Sequence, residues 1–143
     1  METFMPKCIC IVDDQHTIRE MLRFALILQG FEVVVAVDGD DALEKIVTHD
    51  IDMIIADWQM PKMDGLELLQ RLRKIDSFAD TPFVMISCHD DIEARRRARE
   101  LGALNWLKKP FRISDFQLIV KNGLCNAEVH RDHLIDKAAN GRS

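Results

Sequence analysis

No stretch of this 143-residue chain comes near the ~20 apolar residues needed to cross a bilayer, and no basic-then-apolar segment opens it. The sequence therefore reads as cytosolic, with no membrane role. Positive charge is not in excess either. Nineteen Lys and Arg against 24 Asp and Glu leave a net charge of -5, which argues against nucleic-acid binding as the main function. Cysteine is scarce: Cys8, Cys10, Cys88 and Cys125 lack the paired spacing of a zinc site. Cys8 and Cys10 stand two apart on an expected strand, so they share one face and read as small buried hydrophobes in a reducing compartment. No Gly-rich phosphate loop follows the first apolar run, which removes a nucleotide-binding reading. Internal repeats and low-complexity segments are missing too.

What is present is an ordinary globular composition, 48% apolar and 30% charged, at a length that suits one domain. Short apolar runs alternate with stretches of helical periodicity. The expected strands are Lys7 to Val12, Phe31 to Val37, Ile51 to Ala56, Phe83 to Ile86 and Leu104 to Leu107. Between them, Ile18, Met21, Leu22, Ala25 and Leu28 mark helix one, which Gly30 stops. Asp38 to Asp41 opens helix two, and Leu66, Leu69 and Leu72 mark helix three. Helix four runs from Ile92 to Leu101, and Ser114-Asp115-Phe116 opens helix five. Five strand-helix repeats imply an α/β fold with a parallel sheet covered on both faces. The doubly wound order 2-1-3-4-5 fits best. It makes strands one and three neighbours where the winding reverses, and that is where open α/β sheets bind ligands.

The candidate site follows from which residues end those strands. Asp13-Asp14 ends the first apolar run, Asp57 ends the third, Ser87 the fourth, and Lys109-Pro110 follows the fifth. Carboxylates gathered in one crevice repel, by ~4 kcal/mol for a pair at about 4 Å and an effective dielectric near 20. A divalent cation relieves that, and oxygen-only ligands that keep some water suit Mg²⁺. Taken singly, each piece has a plainer reading. Asp13-Asp14 fits a helix cap, Ser87 a cap of helix four, Lys109-Pro110 a loop, and Met60 to Gly65 a turn into a helix. It is their joint placement at strand ends that points to a site.

Taken in order, Asp13-Asp14, Asp57, Met60-Pro61-Lys62-Met63-Asp64-Gly65, Ser87 and Lys109-Pro110-Phe111 resemble the receiver domains of two-component response regulators. The resemblance assigns residues 5–125 to a receiver of flavodoxin-like fold and leaves 126–143 as a C-terminal extension, partly helical. It implies Asp57 as phosphoacceptor and nucleophile, with Lys109 and Ser87 contacting the phosphoryl group. It implies Mg²⁺ held by Asp14, Asp57 and the carbonyl of Gln59, with Asp13 acting directly or through water. Ser87 and Trp106 would be the switch pair, and the Lys109-Pro110 bond would be cis. The chain would catalyse only its own phosphorylation and dephosphorylation, in the cytoplasm. Its partners would be a sensor histidine kinase or histidine phosphotransfer protein and a downstream protein target. The helix four–strand five–helix five face would carry the signal, and a dimer through it is a further expectation. No DNA-binding domain is expected.

Three features depart from the family pattern. Cys88 stands where a smaller residue is common and is expected to crowd the phosphoryl pocket. Trp106 is bulkier than the usual Tyr or Phe. The tail from Asn126 to Ser143 extends past a typical receiver. Leading into that tail, Leu124, Ala127, Leu134 and Ala138 share a helical face with Ile135 beside it, so further helix is expected after helix five, weakened at Gly123 by up to ~1 kcal/mol. Arg95, Arg96, Arg97 and Arg99 make a basic run on helix four, read as a solvated face or a docking surface. Phe111 and Phe116 are expected in the core. His89 flanks the site, while His16, His49, His130 and His133 show no ligand pattern.

Two rival readings remain: a phosphorylation-independent binding module of this fold, and the N-terminal receiver piece of a longer regulator. A phosphohydrolase with an Asp nucleophile often carries a second Asp two residues on as its acid/base. Gln59 in that position cannot transfer protons.

Overall fold

Five short apolar runs pair as parallel strands: β1 (Cys8–Val12), β2 (Glu32–Ala36), β3 (Met53–Asp57), β4 (Phe83–Ser87) and β5 (Asn105–Lys108). In the computed structural model, which describes residues 5–140 and side chains as far as 126, their order is β2-β1-β3-β4-β5. This is the expected doubly wound sheet. The helices are α1 (His16–Leu28), α2 (Gly39–Thr48), α3 (Gly65–Arg73), α4 (Ile92–Glu100) and α5 (Ile113–Asn140), with a short 3-10 turn at Asp76–Phe78 that the sequence reading did not anticipate.

The period of two along each strand divides the core into two layers. Cys10, Val12, Ile54, Ala56, Phe83 and Met85 face α2, α3 and α4. Ile9, Ile11, Met53, Ile55, Val84 and Ile86 face α1 and α5, meeting Leu22, Leu26, Phe116 and Val120. Cys8 packs in the first layer with Cys10, on the shared face that their spacing predicts. Phe116 is fully buried, and the half-buried Phe111 lies against it with ring centroids 5.9 Å apart.

Strand ends shift by one or two residues from the expected ones, for identifiable reasons. β3 starts at Met53 rather than Ile51 because the Asp52 carboxylate, not a backbone carbonyl, accepts the Cys8 N–H at 2.8 Å. It runs on to include Asp57, which is paired with Ile86. Ser87 and Lys108 likewise pair with each other and extend β4 and β5 by one residue. Asp38, Asp64 and Asp91 cap α2, α3 and α4 by accepting the N–H groups of Asp41, Glu67 and Ala94. Gly30 and Gly102 take positive φ just beyond α1 and α4, where a side chain would be strained.

Gly123 does not interrupt α5, which continues unbroken to Asn140. An added Cβ at 123 would lie 2.7 Å from Met53 Cε and 3.1 Å from Leu104 Cδ1. The glycine lets the helix approach the sheet closely. The expected helical tail is thus one helix with α5. The expected packing of Ala127, Leu134, Ile135 and Ala138, and the surroundings of His130 and His133, lie outside the described side chains. Among the described residues no helix is long and apolar enough to cross a membrane.

Candidate functional site

The crevice at the carboxyl ends of β1 and β3 receives what the strand order delivers. Ile9 to Val12 pair with Met53 to Ala56, so Asp13 and Asp57 emerge side by side. Asp13, Asp14 and Asp57 each place a carboxylate oxygen within 4.8 Å of the other two. Asp13 and Asp57 are buried, at 1% and 7% exposure, whereas Asp14 is exposed. Lys109 arrives from the end of β5. Its Nζ lies 3.3 Å from Asp13 Oδ2 and 3.4 Å from Asp57 Oδ2. The Lys109-Pro110 bond is cis, as the resemblance implies.

The capping readings do not hold here. α1 begins at a Gln15 N-cap with no side-chain hydrogen bond, so Asp14 is not used to cap it. Asp13 Oδ1 accepts the Gln15 N–H at 2.9 Å, which fixes its other oxygen toward Lys109. α4 is capped by Asp91 rather than Ser87. Ser87 is fully buried at the end of β4, where its Oγ accepts the His89 N–H at 2.9 Å. Among the described residues its own hydroxyl proton has no acceptor. The Lys109 N–H donates to the Ser87 carbonyl at 2.8 Å, tying the two strand ends together.

Burial raises the Asp57 pKa above the ordinary aspartate value. The Asp13 charge adds to this, while Lys109 and the Gln59 N–H, 3.4 Å from Asp57 Oδ1, oppose it. A buried carboxylate held beside another carries an unfavourable charge that a cation relieves. Three carboxylates in reach of one point, one of them open to solvent, fit a hard, oxygen-liganded ion. The backbone leaves room for the site behind Asp57 through Gly65, whose N–H bonds the Trp58 carbonyl at 2.8 Å. A Cβ at 65 would meet the Asp57 carbonyl at 2.6 Å. Within the same loop, Lys62 takes φ 69, a left-handed conformation for a residue with a side chain.

Trp106 is half-buried, and its Nε1 is buried without a partner among the described residues. Its indole meets Trp58 edge-on, with centroids 5.2 Å apart and planes at 60°. Cys88 is exposed rather than packed in the crevice. It shares a depression of about 470 Å³ with Ile18, Met21, Lys109, Pro110 and Phe111. His89 takes part only through its backbone N–H. His49 Nδ1 donates to the Lys45 carbonyl at 2.7 Å, at the far end of α2.

Arg19 is a residue that the sequence reading passed over. Its Nη1 donates to the Asp13 carbonyl at 2.8 Å, and its Nη2 lies 3.2 Å from His16 Nδ1. The signal was weak: an arginine in the second turn of a helix that follows two aspartates. The Trp58–Trp106 contact had no sequence signal at all, because it joins residues 48 positions apart, one just past the end of β3 and the other on β5.

Comparison with known proteins gives one consistent result. Residues 9–121 match the family model of the response regulator receiver domain. The chain is 41% identical over 101 residues to the probable transcriptional regulator ycf27 of Cyanidium caldarium, covering 71% of this chain and 39% of that protein. It is 35% identical over 111 residues to the response regulator MprA of Mycobacterium sp. (strain KMS), covering 78% of this chain and 47% of that one. The chain thus spans less than half the length of these two relatives. Among solved structures it is similar to the chemotaxis protein CheY4 of Vibrio cholerae, at 31% identity and a TM-score of 0.79, covering 82% of this chain and 98% of that one. A putative response regulator from Chloroflexus aurantiacus is 36% identical with a TM-score of 0.79, covering 85% and 99%.

Proposed function

This chain belongs to the response regulator receiver domain family, and from that premise we propose that it receives a phosphoryl group on Asp57 from a phosphohistidine of a sensor kinase or histidine phosphotransfer protein. The observation that carries the reading is the convergence of Asp13, Asp14, Asp57 and Lys109 in one crevice at the β1–β3 switch point. The receiver unit is residues 5–125, with 126–143 as a C-terminal extension, and α5 runs on into it as far as Asn140. The work takes place in the cytoplasm.

Each residue has a task that its position supports. Asp57 uses a carboxylate oxygen to attack phosphorus. The new O–P bond forms as the P–N bond of the donor breaks, and the imidazole leaves. Phosphoryl transfer needs mainly positioning and charge neutralisation. Lys109 supplies one fixed positive charge. It already bridges Asp13 and Asp57 and turns toward a phosphoryl oxygen as that group arrives. Ser87 donates its free hydroxyl proton to another phosphoryl oxygen. Asp13, Asp14, Asp57 and the Gln59 carbonyl are the oxygens that would hold Mg²⁺, whose charge neutralises the transferring group. Arg19 steadies the Asp13 backbone from below. Ser87 drawn toward the phosphoryl group takes the His89 segment with it. Trp106 responds through its contact with Trp58 and alters the α4–β5–α5 face, which engages a downstream protein.

The chemistry is confined to the chain's own phosphorylation and dephosphorylation. The test is incubation with acetyl phosphate and Mg²⁺, followed by intact mass. A gain of one phosphoryl group that EDTA abolishes supports the reading. No gain, or a gain indifferent to EDTA, contradicts it.

A further inference from the structure

Of the three carboxylates in the crevice, the exposed one has no side-chain anchor. Asp14 keeps an oxygen within 4.8 Å of those of Asp13 and Asp57. Among the described residues no hydrogen bond or ion pair holds its side chain, and α1 takes Gln15 rather than Asp14 as its N-cap. The two buried carboxylates differ in this respect. Asp13 accepts the Gln15 N–H and meets Lys109, and Asp57 meets Lys109 as well. Like charges repel, so an exposed carboxylate in this company swings out to solvent unless its backbone directs it inward.

The backbone at this point is held on both sides. The Asp13 N–H donates to the Ala36 carbonyl at 3.2 Å, and the Gln15 N–H donates to Asp13 Oδ1 at 2.9 Å. Between them, the carbonyl of the Asp13–Asp14 peptide accepts from Arg19 Nη1 at 2.8 Å. That bond sets the plane of the peptide that carries Asp14. Arg19 is itself well fixed. It is half-buried in the first turns of α1, where its N–H donates to the Gln15 carbonyl at 3.0 Å. Its second arm, Nη2, lies 3.2 Å from His16 Nδ1. A planar guanidinium held at two points has a defined direction.

We propose that Arg19 is a positioning residue for the divalent cation: by holding the Asp13 carbonyl it keeps the Asp14 carboxylate aimed into the crevice before the ion arrives. This rests on the Mg²⁺ part of the receiver reading above and adds the residue that preforms the site. Without Arg19, Asp14 has to be gathered from solvent as the ion binds, and that ordering costs affinity. The sign of the effect separates positioning from charge. Arg19 is a cation bonded to the backbone of a cation-binding residue, so its charge repels Mg²⁺. Charge alone predicts tighter Mg²⁺ binding when Arg19 is removed, whereas positioning predicts weaker binding.

The experiment titrates MgCl₂ at constant ionic strength into the full chain and into Arg19→Met. Tryptophan emission reports the ion, since Trp58 adjoins Asp57, and thermal melts in EDTA verify that the variant folds. The same substitution is made in an Asp14→Asn background. Arg19→Met should raise the Mg²⁺ dissociation constant by at least about fivefold. Loss of an outer-shell partner costs roughly 10–100-fold, and relieved repulsion takes back part of it. In Asp14→Asn the same change should weaken binding by less than about twofold, or tighten it, because the residue through which Arg19 acts is gone. Unchanged or tighter Mg²⁺ binding in Arg19→Met overturns the proposal. So does a lower melting temperature with an unchanged dissociation constant, which marks Arg19 as structural only. A loss of undiminished size in Asp14→Asn overturns it too, since Arg19 then does not act through Asp14. Wild-type emission and melting temperature indifferent to Mg²⁺ overturn the metal site and this proposal with it, whereas a wild type that binds Mg²⁺ no better than Arg19→Met overturns this proposal alone.

Discussion

Replacing Asp57 by Asn should make the metal-free protein more stable, although it removes a salt bridge. At an effective dielectric near 20, Lys109 Nζ at 3.4 Å from Asp57 Oδ2 attracts it by about 5 kcal/mol. Asp13, with an oxygen within 4.8 Å, opposes by about 3.5 kcal/mol at the same dielectric. Those contributions largely offset. What remains is the desolvation of a carboxylate only 7% exposed, several kcal/mol for a buried ion, and a screened repulsion from Asp14. Asparagine keeps the shape without the charge. The expected gain for Asp57→Asn in EDTA at pH 7 is about 1–3 kcal/mol, or roughly 3–10 °C in melting temperature. The pH dependence has a definite sign. Burial, then Asp13, raises the Asp57 pKa in the native state, so the native state keeps this proton where the unfolded chain has lost it. The wild type therefore carries no penalty below the ordinary aspartate value. The penalty grows as pH rises from there through the raised native value, and it persists at neutral pH. Urea unfolding of both proteins in EDTA at pH 4 and pH 7 measures this. The gap should be open at pH 7, nearly closed at pH 4, and narrowed at pH 7 by saturating Mg²⁺, which stabilises the wild type by mass action. An Asp57→Asn protein less stable than wild type at pH 7 in EDTA would refute the electrostatic reasoning.

Gly65→Ala should destabilise the protein by ~2–3 kcal/mol in urea unfolding, because the added Cβ meets the unyielding Asp57 carbonyl at 2.6 Å. Lys62→Gly should act in the opposite direction, by about 0.5–1 kcal/mol, since Lys62 is held at φ 69 where glycine carries no Cβ strain; an unchanged or lower urea midpoint would contradict this. With Ellman's reagent at pH 8, Cys88 and Cys125 should react fast, both being exposed. Cys8 should lag because burial and nearby acids raise its pKa, and Cys10, which burial pushes up to about 12, should react only after unfolding. Mass spectrometry of partially labelled protein gives the order, and early labelling of Cys10 would show the core packing wrong.

The sheet order was legible because strand-helix alternation leaves few topologies, and Asp13, Asp14, Asp57, Ser87 and Lys109 fell at strand ends that this order brings together. Their burial and spacing were not legible. Asp13 and Asp14 look alike in sequence, yet one is buried and bonded to Lys109 while the other is open to solvent. Side-chain direction at the end of β1 decides that. The strand ends were off where a side chain replaces the backbone ladder, as Asp52 does for Cys8. Gly123 read as a weak point in a helix because propensity counts only local entropy. Its close approach to Met53 and Leu104 is a tertiary fact. Cys88 was expected to crowd the crevice, but it is exposed and lines a depression with Ile18, Met21 and Lys109, a placement that depends on how α1 packs. Arg19 and the Trp58–Trp106 contact were missed for the same reason, since both join elements whose relative placement no local pattern encodes.

The central claim is that Asp57 itself takes the phosphoryl group. The direct measurement treats the chain with acetyl phosphate and Mg²⁺, then with sodium borohydride, which reduces an aspartyl phosphate to homoserine. Tandem mass spectrometry of the peptides then locates the reduced residue. Homoserine at position 57 in the wild type, and none anywhere in Asp57→Asn, is the predicted result. Reduction at Asp13, Asp14 or another carboxylate in the wild type, or an unmodified position 57 despite a mass gain of one phosphoryl group, would contradict it.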